Sequence, residues 1–298
     1  MKIGRFDNGR IGLVVGDRIV DVSEACESDP AEWPPVGIIR TIRNFQHLRP
    51  AIERAGAPPG VPLSSVRLEP PIPWPKNVLA LPNNFADHSA EMSGRSYAVG
   101  GNLAANVAGF FMKAASSIVG PNDAIRIPDM PGREFHYECE LATVIGKSAT
   151  NVSAIDAADY IFGYACLIDV TMRGKEERVM RKSISSFTPL GPWITTADEV
   201  GPTDDIQLQL WVNGELRQHA FAREMIVGIR EAVELCSSVM TLEPGDVIAS
   251  GTMAGVGPLA VGDTVRIAID NVGSMTLPVE AAAPLRSSFA RAGTGEHA

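Results

Sequence analysis

The sequence predicts an α+β fold dominated by strands, on three observations. Short apolar runs recur along the chain, at residues 137–145, 162–170, 206–212, Val247–Ala249 and Thr264–Ile269. Dipeptides suited to tight hairpins separate several of the runs: Asn8-Gly9, Gly16-Asp17 and Asn213-Gly214. Such pairs tolerate the positive φ that two-residue turns demand. Helical spacing of apolar residues is confined to 38–55, a short piece at 157–160, and 225–240, where Ile226, Ile229, Val233 and Val239 line one side.

Taken in order, residues 1–25 read as three strands, Lys2–Phe6, 11–15 and 18–22, joined by the first two turn pairs. A proline-rich stretch from Pro30 to Pro75 encloses the 38–55 helix. This pattern describes a small N-terminal α+β unit, residues 1–70, tied by a stiff linker near 68–76 to a larger body, residues 71–284. The segment 92–109 carries Gly94, Gly100, Gly101 and Gly109 among Ala, Asn and Ser. It reads either as a mobile lid over a site or as a plain surface loop. Beyond Phe110 strands prevail, and Leu-x-x-Gly-Asp occurs twice, at 242–246 and 259–263, each time as a turn into a strand. The Ser-, Arg- and Gly-rich tail, 285–298, is expected to fray.

Composition narrows the functional classes. The 298 residues are 45% hydrophobic and 20% charged, so a sizeable core can form. A formal charge of −9 disfavours nucleic acid or an anionic membrane as partner. It leaves an anionic substrate open, because a bound cation reverses the local field. The four cysteines, Cys26, Cys139, Cys166 and Cys236, form no C-x-x-C pair and read as reduced, buried thiols. The N-terminal residues lack the apolar core of a signal peptide, and no apolar stretch approaches the ~18–20 residues of a membrane helix. A soluble, cytoplasmic protein is expected.

The chemistry-bearing residues fall in a few segments. Residues 134–145 read E-F-H-Y-E-C-E-L-A-T-V-I. Strand alternation puts Tyr137, Cys139, Leu141 and Ile145 on one face and His136, Glu138 and Glu140 on the other. Two carboxylates on one face repel unless a cation lies between them. A hard divalent ion such as Mg²⁺ or Mn²⁺ suits oxygen ligands; a solvated sheet face is the plain alternative. Asp169 ends the nearly all-apolar run 162–170, where an unpaired carboxylate is costly. It either caps the next turn, pairs with Arg173, or gives the same cation a third oxygen and leaves positions open for substrate. In N-N-F-A-D-H-S-A-E-M, His88 and Glu91 share a helical face. They suit a general base oriented by a carboxylate, or an ordinary ion pair in which Asp87 competes for the histidine. Lys182 opens the loop-like K-S-I-S-S-F-T-P-L-G-P-W. The glycine-rich G-T-M-A-G-V-G from Gly251 lacks the lysine of a phosphate loop, but its N–H groups and the Thr252 hydroxyl suit a carboxylate.

Together these segments resemble the fumarylacetoacetate hydrolase family. The carriers are N-F-A-D-H-S-A-E-M, H-Y-E-C-E-L-A-T-V-I-G-K, D-Y-I-F-G-Y-A-C-L-I-D-V-T, K-S-I-S-S-F-T-P-L-G-P-W, W-V-N-G-E-L-R-Q and M-T-L-E-P-G-D-V-I-A-S-G-T-M-A-G-V-G, in the family's order across roughly residues 76–280. The resemblance implies a mixed β-roll for the large domain and a homodimer. It implies a divalent metal, Mg²⁺ or Mn²⁺, on Glu138, Glu140 and Asp169. It further implies His88 and Glu91 as a catalytic pair on a lid, Lys182 as the active-site lysine, and Arg173 and Thr252 beside the substrate. The expected activity is hydrolysis of a C–C bond in an acylpyruvate-type 2-oxo acid (fumarylpyruvate- or maleylpyruvate-like), giving pyruvate and a carboxylic acid. A decarboxylase or isomerase of oxaloacetate type, a hydratase, and a non-catalytic metal-stabilised binder are the alternatives. Departures from the family's pattern fall at Gly174, Glu176, Met253 and residues 222–224, so the acyl group is not carried over.

Overall fold

The computed structural model describes residues 1–57, 59–93 and 103–283. Among them, a twelve-stranded sheet forms the centre. Its inner strands are Thr188–Thr196, Ile161–Ile168, Cys139–Ile145 and Val247–Ala249, hydrogen-bonded in that order. Val78–Ala80 and Phe111–Lys113 extend one side. The N-terminal meander Lys2–Phe6, Arg10–Val15 and Arg18–Asp21 extends the other, with Lys2 opposite Thr195 and Ile3 opposite Ile194.

The central strands are apolar on both faces because both faces are covered. Leu141, Cys166 and Ile168 pack toward a five-stranded sheet that supplies Leu208, Leu210, Ile267 and Leu277. Ala142, Val144, Ala165 and Leu167 pack toward Ile3, Ile11, Ile38, Ile42 and Ile52 from the first 70 residues. The five-stranded sheet holds the predicted hairpin: Gln207–Val212 and Glu215–Phe221 turn at Asn213 (φ 53°) and Gly214 (φ 81°).

Three expectations need correction. The 38–55 helix is two helices, Gly37–Arg43 and Phe45–Ala55, meeting at Asn44. The Asn44 backbone carbonyl accepts the His47 and Leu48 N–H groups and so opens the second helix. The 225–240 helix is shorter, Ile229–Val239, and buries Ala232, Val233, Cys236 and Ser237. Ile226 and Val239 stay exposed, so two residues of the expected apolar side do not face the core. The proline-bearing stretch read as a loop is the strand Thr188–Thr196. Its pairing with Ile161–Ile168 slips between Tyr164 and Cys166, and Pro192, which has no N–H to give, lies opposite that irregularity. The tail 285–298 lies outside the described residues, as do Gly94, Gly100 and Gly101 of the expected lid.

Candidate active site

The site lies where the central sheet, a small sheet and the helix Ala86–Glu91 meet. Glu138 occupies the one-residue gap between Glu134–Tyr137, in the small sheet, and Cys139–Ile145, in the central one. Glu140 stands near the start of the second strand. Asp169 directly follows the neighbouring strand Ile161–Ile168. The Asp169 N–H donates to the Glu138 carbonyl at 2.9 Å, which fixes the two segments side by side. The three side chains are buried, and each offers a carboxylate oxygen within 4.8 Å of the others.

Buried anions at such spacing must be compensated. Lys182 Nζ donates to Glu138 Oε2 at 2.7 Å, to Asp169 Oδ2 at 2.5 Å and to Thr171 Oγ1 at 2.7 Å. Arg173 donates to Glu138 Oε1 at 2.9 Å. Lys113 is ion-paired with Asp169 and also donates to the carbonyls of Lys182 and Phe187. Glu140 accepts the Gly251 N–H at 2.9 Å.

The charges respond unequally. Burial works to raise the Glu138 carboxyl, but Lys182 and Arg173 outweigh it and hold the group well below the carboxylate range. Burial and the Asp169 charge push Glu140 the other way, well above it. Burial pulls the Lys113 ammonium down against the attraction of Asp169. On Lys182 burial acts in the same sense, but Asp169 and Glu138 prevail and raise it. A cluster of buried oxygen donors in which burial and a neighbouring charge raise one carboxyl fits a hard divalent cation, whose charge would offset both.

Facing the carboxylates, His88 Nδ1 lies 3.1 Å from Glu91 Oε2, and Glu91 Oε1 accepts the Gly255 N–H at 3.2 Å. Both sets border a small cavity of about 50 Å³ that opens to solvent. Thr252 completes the rim. Gln218 holds it in place: its Nε2 donates to Thr252 Oγ1 at 2.9 Å, and its Oε1 accepts the Cys139 N–H at 2.9 Å. Asn84, buried just ahead of the His88 helix, donates to the Val227 and Ser250 carbonyls and so ties that helix to the glycine loop.

His88, Glu138, Glu140, Arg173, Lys182 and Thr252 thus line one cavity, with Glu91 behind His88 and Asp169 behind Lys182. Arg173 pairs with Glu138, not with Asp169. His136 does not join them. The chain changes sheet at Glu138, which breaks the alternation, and the imidazole pairs with Glu134 at 3.0 Å instead. Lys113, Arg178, Arg181, Phe111 and Gln218 were not singled out by sequence. Lys113 carried a usable signal, a lysine closing the apolar run Phe110-Phe111-Met112 in the way Asp169 closes its own. The departure at Gly174 has a steric reason: a Cβ there would stand 2.0 Å from Glu176 Oε2, and Glu176 is held by Arg133 at 2.5 Å.

Fold and site define a class: a mainly-β protein whose sheets converge on a three-carboxylate centre beside a buried histidine–glutamate pair. Residues 77–280 match the fumarylacetoacetate (FAA) hydrolase C-terminal family, and the chain belongs to that family. It is 41% identical over 286 residues to a maleylpyruvate hydrolase of Aquipseudomonas alcaligenes, covering 94% of this chain and 99% of the relative. It is 33% identical over 290 residues to the oxaloacetate tautomerase YisK of Bacillus subtilis, covering 89% and 94%. The crystal structure of maleylpyruvate hydrolase from Sphingobium sp. SYK-6, in complex with manganese(II) and pyruvate, superposes with a TM-score of 0.86 at 44% identity, covering 95% of this chain and all of that one.

Proposed function

We propose that the protein is a divalent-metal-dependent hydrolase of acylpyruvates of the maleylpyruvate or fumarylpyruvate type, releasing pyruvate and a carboxylic acid. One observation carries the reading: a carboxylate-oriented histidine and a three-oxygen cation site border the same cavity. Similarity to two maleylpyruvate hydrolases over nearly the whole chain supports it.

Glu138, Glu140 and Asp169 would hold Mn²⁺ or Mg²⁺. When bound, the cation supplies Lewis-acid polarisation of the 2-oxo acid oxygens and counter-charge for electron density arriving there. The remaining work falls to the chain. Glu91 orients His88, and His88 takes a proton from a water that attacks the distal carbonyl. Lys182 Nζ, whose three N–H groups go to Glu138, Asp169 and Thr171, offers its positive charge to oxygens gaining negative charge. Collapse of the adduct breaks the C–C bond, leaving a carboxylic acid and the enolate of pyruvate. The enolate then takes up a proton at its methylene carbon. Arg173 and Thr252 orient the 2-oxo acid. Running the reaction in ¹⁸O-labelled water tests the water attack. The released acid is expected to carry solvent oxygen; release of CO₂ with unlabelled product would count against hydrolysis.

A second reading, interconversion or decarboxylation of an oxaloacetate-type acid, is favoured by the tautomerase relative. It uses the same 2-oxo acid end but no attacking water, and it leaves the His88–Glu91 pair without a hydrolytic task. We read the assembly as a cytoplasmic homodimer serving aromatic catabolism, with residues 1–70 supporting the catalytic body, 71–284. The four cysteines are free and buried, in keeping with a reducing compartment. Among the described residues, no helix is long and apolar enough to cross a membrane.

A further inference from the structure

Part of the cavity wall is not used by the chemistry above. The short helix Arg178–Lys182 brings three cations to its wall: Arg178, Arg181 and Lys182. Two are committed. Lys182 serves Glu138 and Asp169. Arg181 donates to the Glu176 carbonyl at 2.8 Å and the Met172 carbonyl at 3.5 Å. Arg178 differs: among the described residues its guanidinium has no hydrogen bond or ion pair, and it lies 5.4 Å from the centre of the Phe111 ring. Lys182 Nζ stands 5.3 Å from the same ring centre, so the metal-site lysine and Arg178 flank one aromatic side chain.

The carboxylates of the centre are already matched by Lys113, Lys182 and Arg173, so Arg178 is surplus to that balance. Glu138 and Asp169 reach Arg178 only through space, and a half-buried guanidinium with no carboxylate in hydrogen-bond reach is costly to keep. Phe111 supports the cation and leaves its N–H groups for a planar, bidentate acceptor, which a carboxylate is. We infer that Arg178 selects substrates bearing a second carboxylate at the acyl end. The 2-oxo acid end would then sit at Glu138, Glu140 and Asp169, with the distal carboxylate on Arg178. The cleavage of such dicarboxylate acylpyruvates rests on the hydrolase reading; their binding does not.

The test uses two ligands of equal chain length that cannot be hydrolysed, 2-oxoadipate and 2-oxohexanoate, titrated calorimetrically into the Mn²⁺-loaded full chain. Wild type is expected to bind the diacid about tenfold tighter or more, the scale of a charged hydrogen-bonded pair. Arg178→Met should erase that preference by weakening the diacid. Arg178→Lys should keep part of it, since an ammonium lacks the bidentate fork. If the Met variant does not fold by thermal melting, the Lys variant carries the test, with a reduced preference expected. Equal affinities in wild type would overturn the assignment. So would equal weakening of both ligands in the variants, because Arg178 would then hold the shared 2-oxo acid end. Failure to hydrolyse any acylpyruvate would sink the hydrolase reading and leave this binding comparison standing.

Discussion

At the scale of single residues, the partners of each side chain decide its behaviour. His88 is buried at the cavity wall and its Nδ1 faces Glu91, which leaves Nε2 for the water it is proposed to activate. His88→Ala should therefore lower kcat by about 10²–10⁴ while Mn²⁺ affinity, measured by titration, stays close to wild type. Parallel loss of both would assign His88 to the metal site instead. Lys113 shows the opposite dependence. It is buried against Asp169, and without it the metal-free centre keeps one cation fewer for the same anions. Lys113→Met should cost about 3–5 kcal/mol in metal-free protein, read from urea unfolding, and added Mn²⁺ should recover part of the loss. An unchanged midpoint would show that Lys113 is not part of the charge balance.

At the scale of elements, the turns explain why the site residues meet. Gly251 has a φ of 77°, and a Cβ there would stand 2.6 Å from the Leu81 carbonyl and 2.7 Å from Asn84 Cβ. This close approach delivers the Gly251 N–H to Glu140. Gly251→Ala should destabilise the fold by about 1–3 kcal/mol or more, visible as a lowered Tm; a wild-type Tm would mean that the loop has room to move. The repeated Leu-x-x-Gly-Asp turns are used alike, with Gly245 at φ 86° and Gly262 at φ 98°. Asp246 accepts the Asn77 and Glu243 N–H groups, and Asp263 accepts that of Ala260. Such turns were legible in the sequence because their chemistry is local. The strand Thr188–Thr196 was not. Its prolines argue locally for a loop, and only the slipped register against Ile161–Ile168 accommodates them. Glu138 and Glu140 were read rightly as neighbours, whereas His136 was misplaced because a change of sheet leaves no mark in a period-2 pattern.

At the scale of the whole molecule, the first 70 residues and the catalytic body share one sheet and one core. Lys2–Phe6 pairs with Thr188–Thr196, and Ile38, Ile42 and Ile52 cover the face that carries Ala142 and Leu167. Deleting residues 1–70 should therefore expose that face and leave a chain without fixed tertiary packing. Near-ultraviolet circular dichroism checks this, and a native-like spectrum would show that the larger body stands alone. The mainly-β class and most strands followed from sequence pattern. The ion pairs of Lys113 and the placing of Arg178 beside Phe111 depend on contacts between distant segments, which no local pattern records. The central claim concerns the joint use of the carboxylate centre and His88. It is tested most directly by following the ultraviolet enol absorbance of maleylpyruvate and fumarylpyruvate with Mn²⁺, with Mg²⁺ and with chelator, and identifying the products. Metal-dependent loss of absorbance with equal yields of pyruvate and a dicarboxylic acid is the predicted result. Absorbance that persists under every condition, while oxaloacetate is converted, would contradict it.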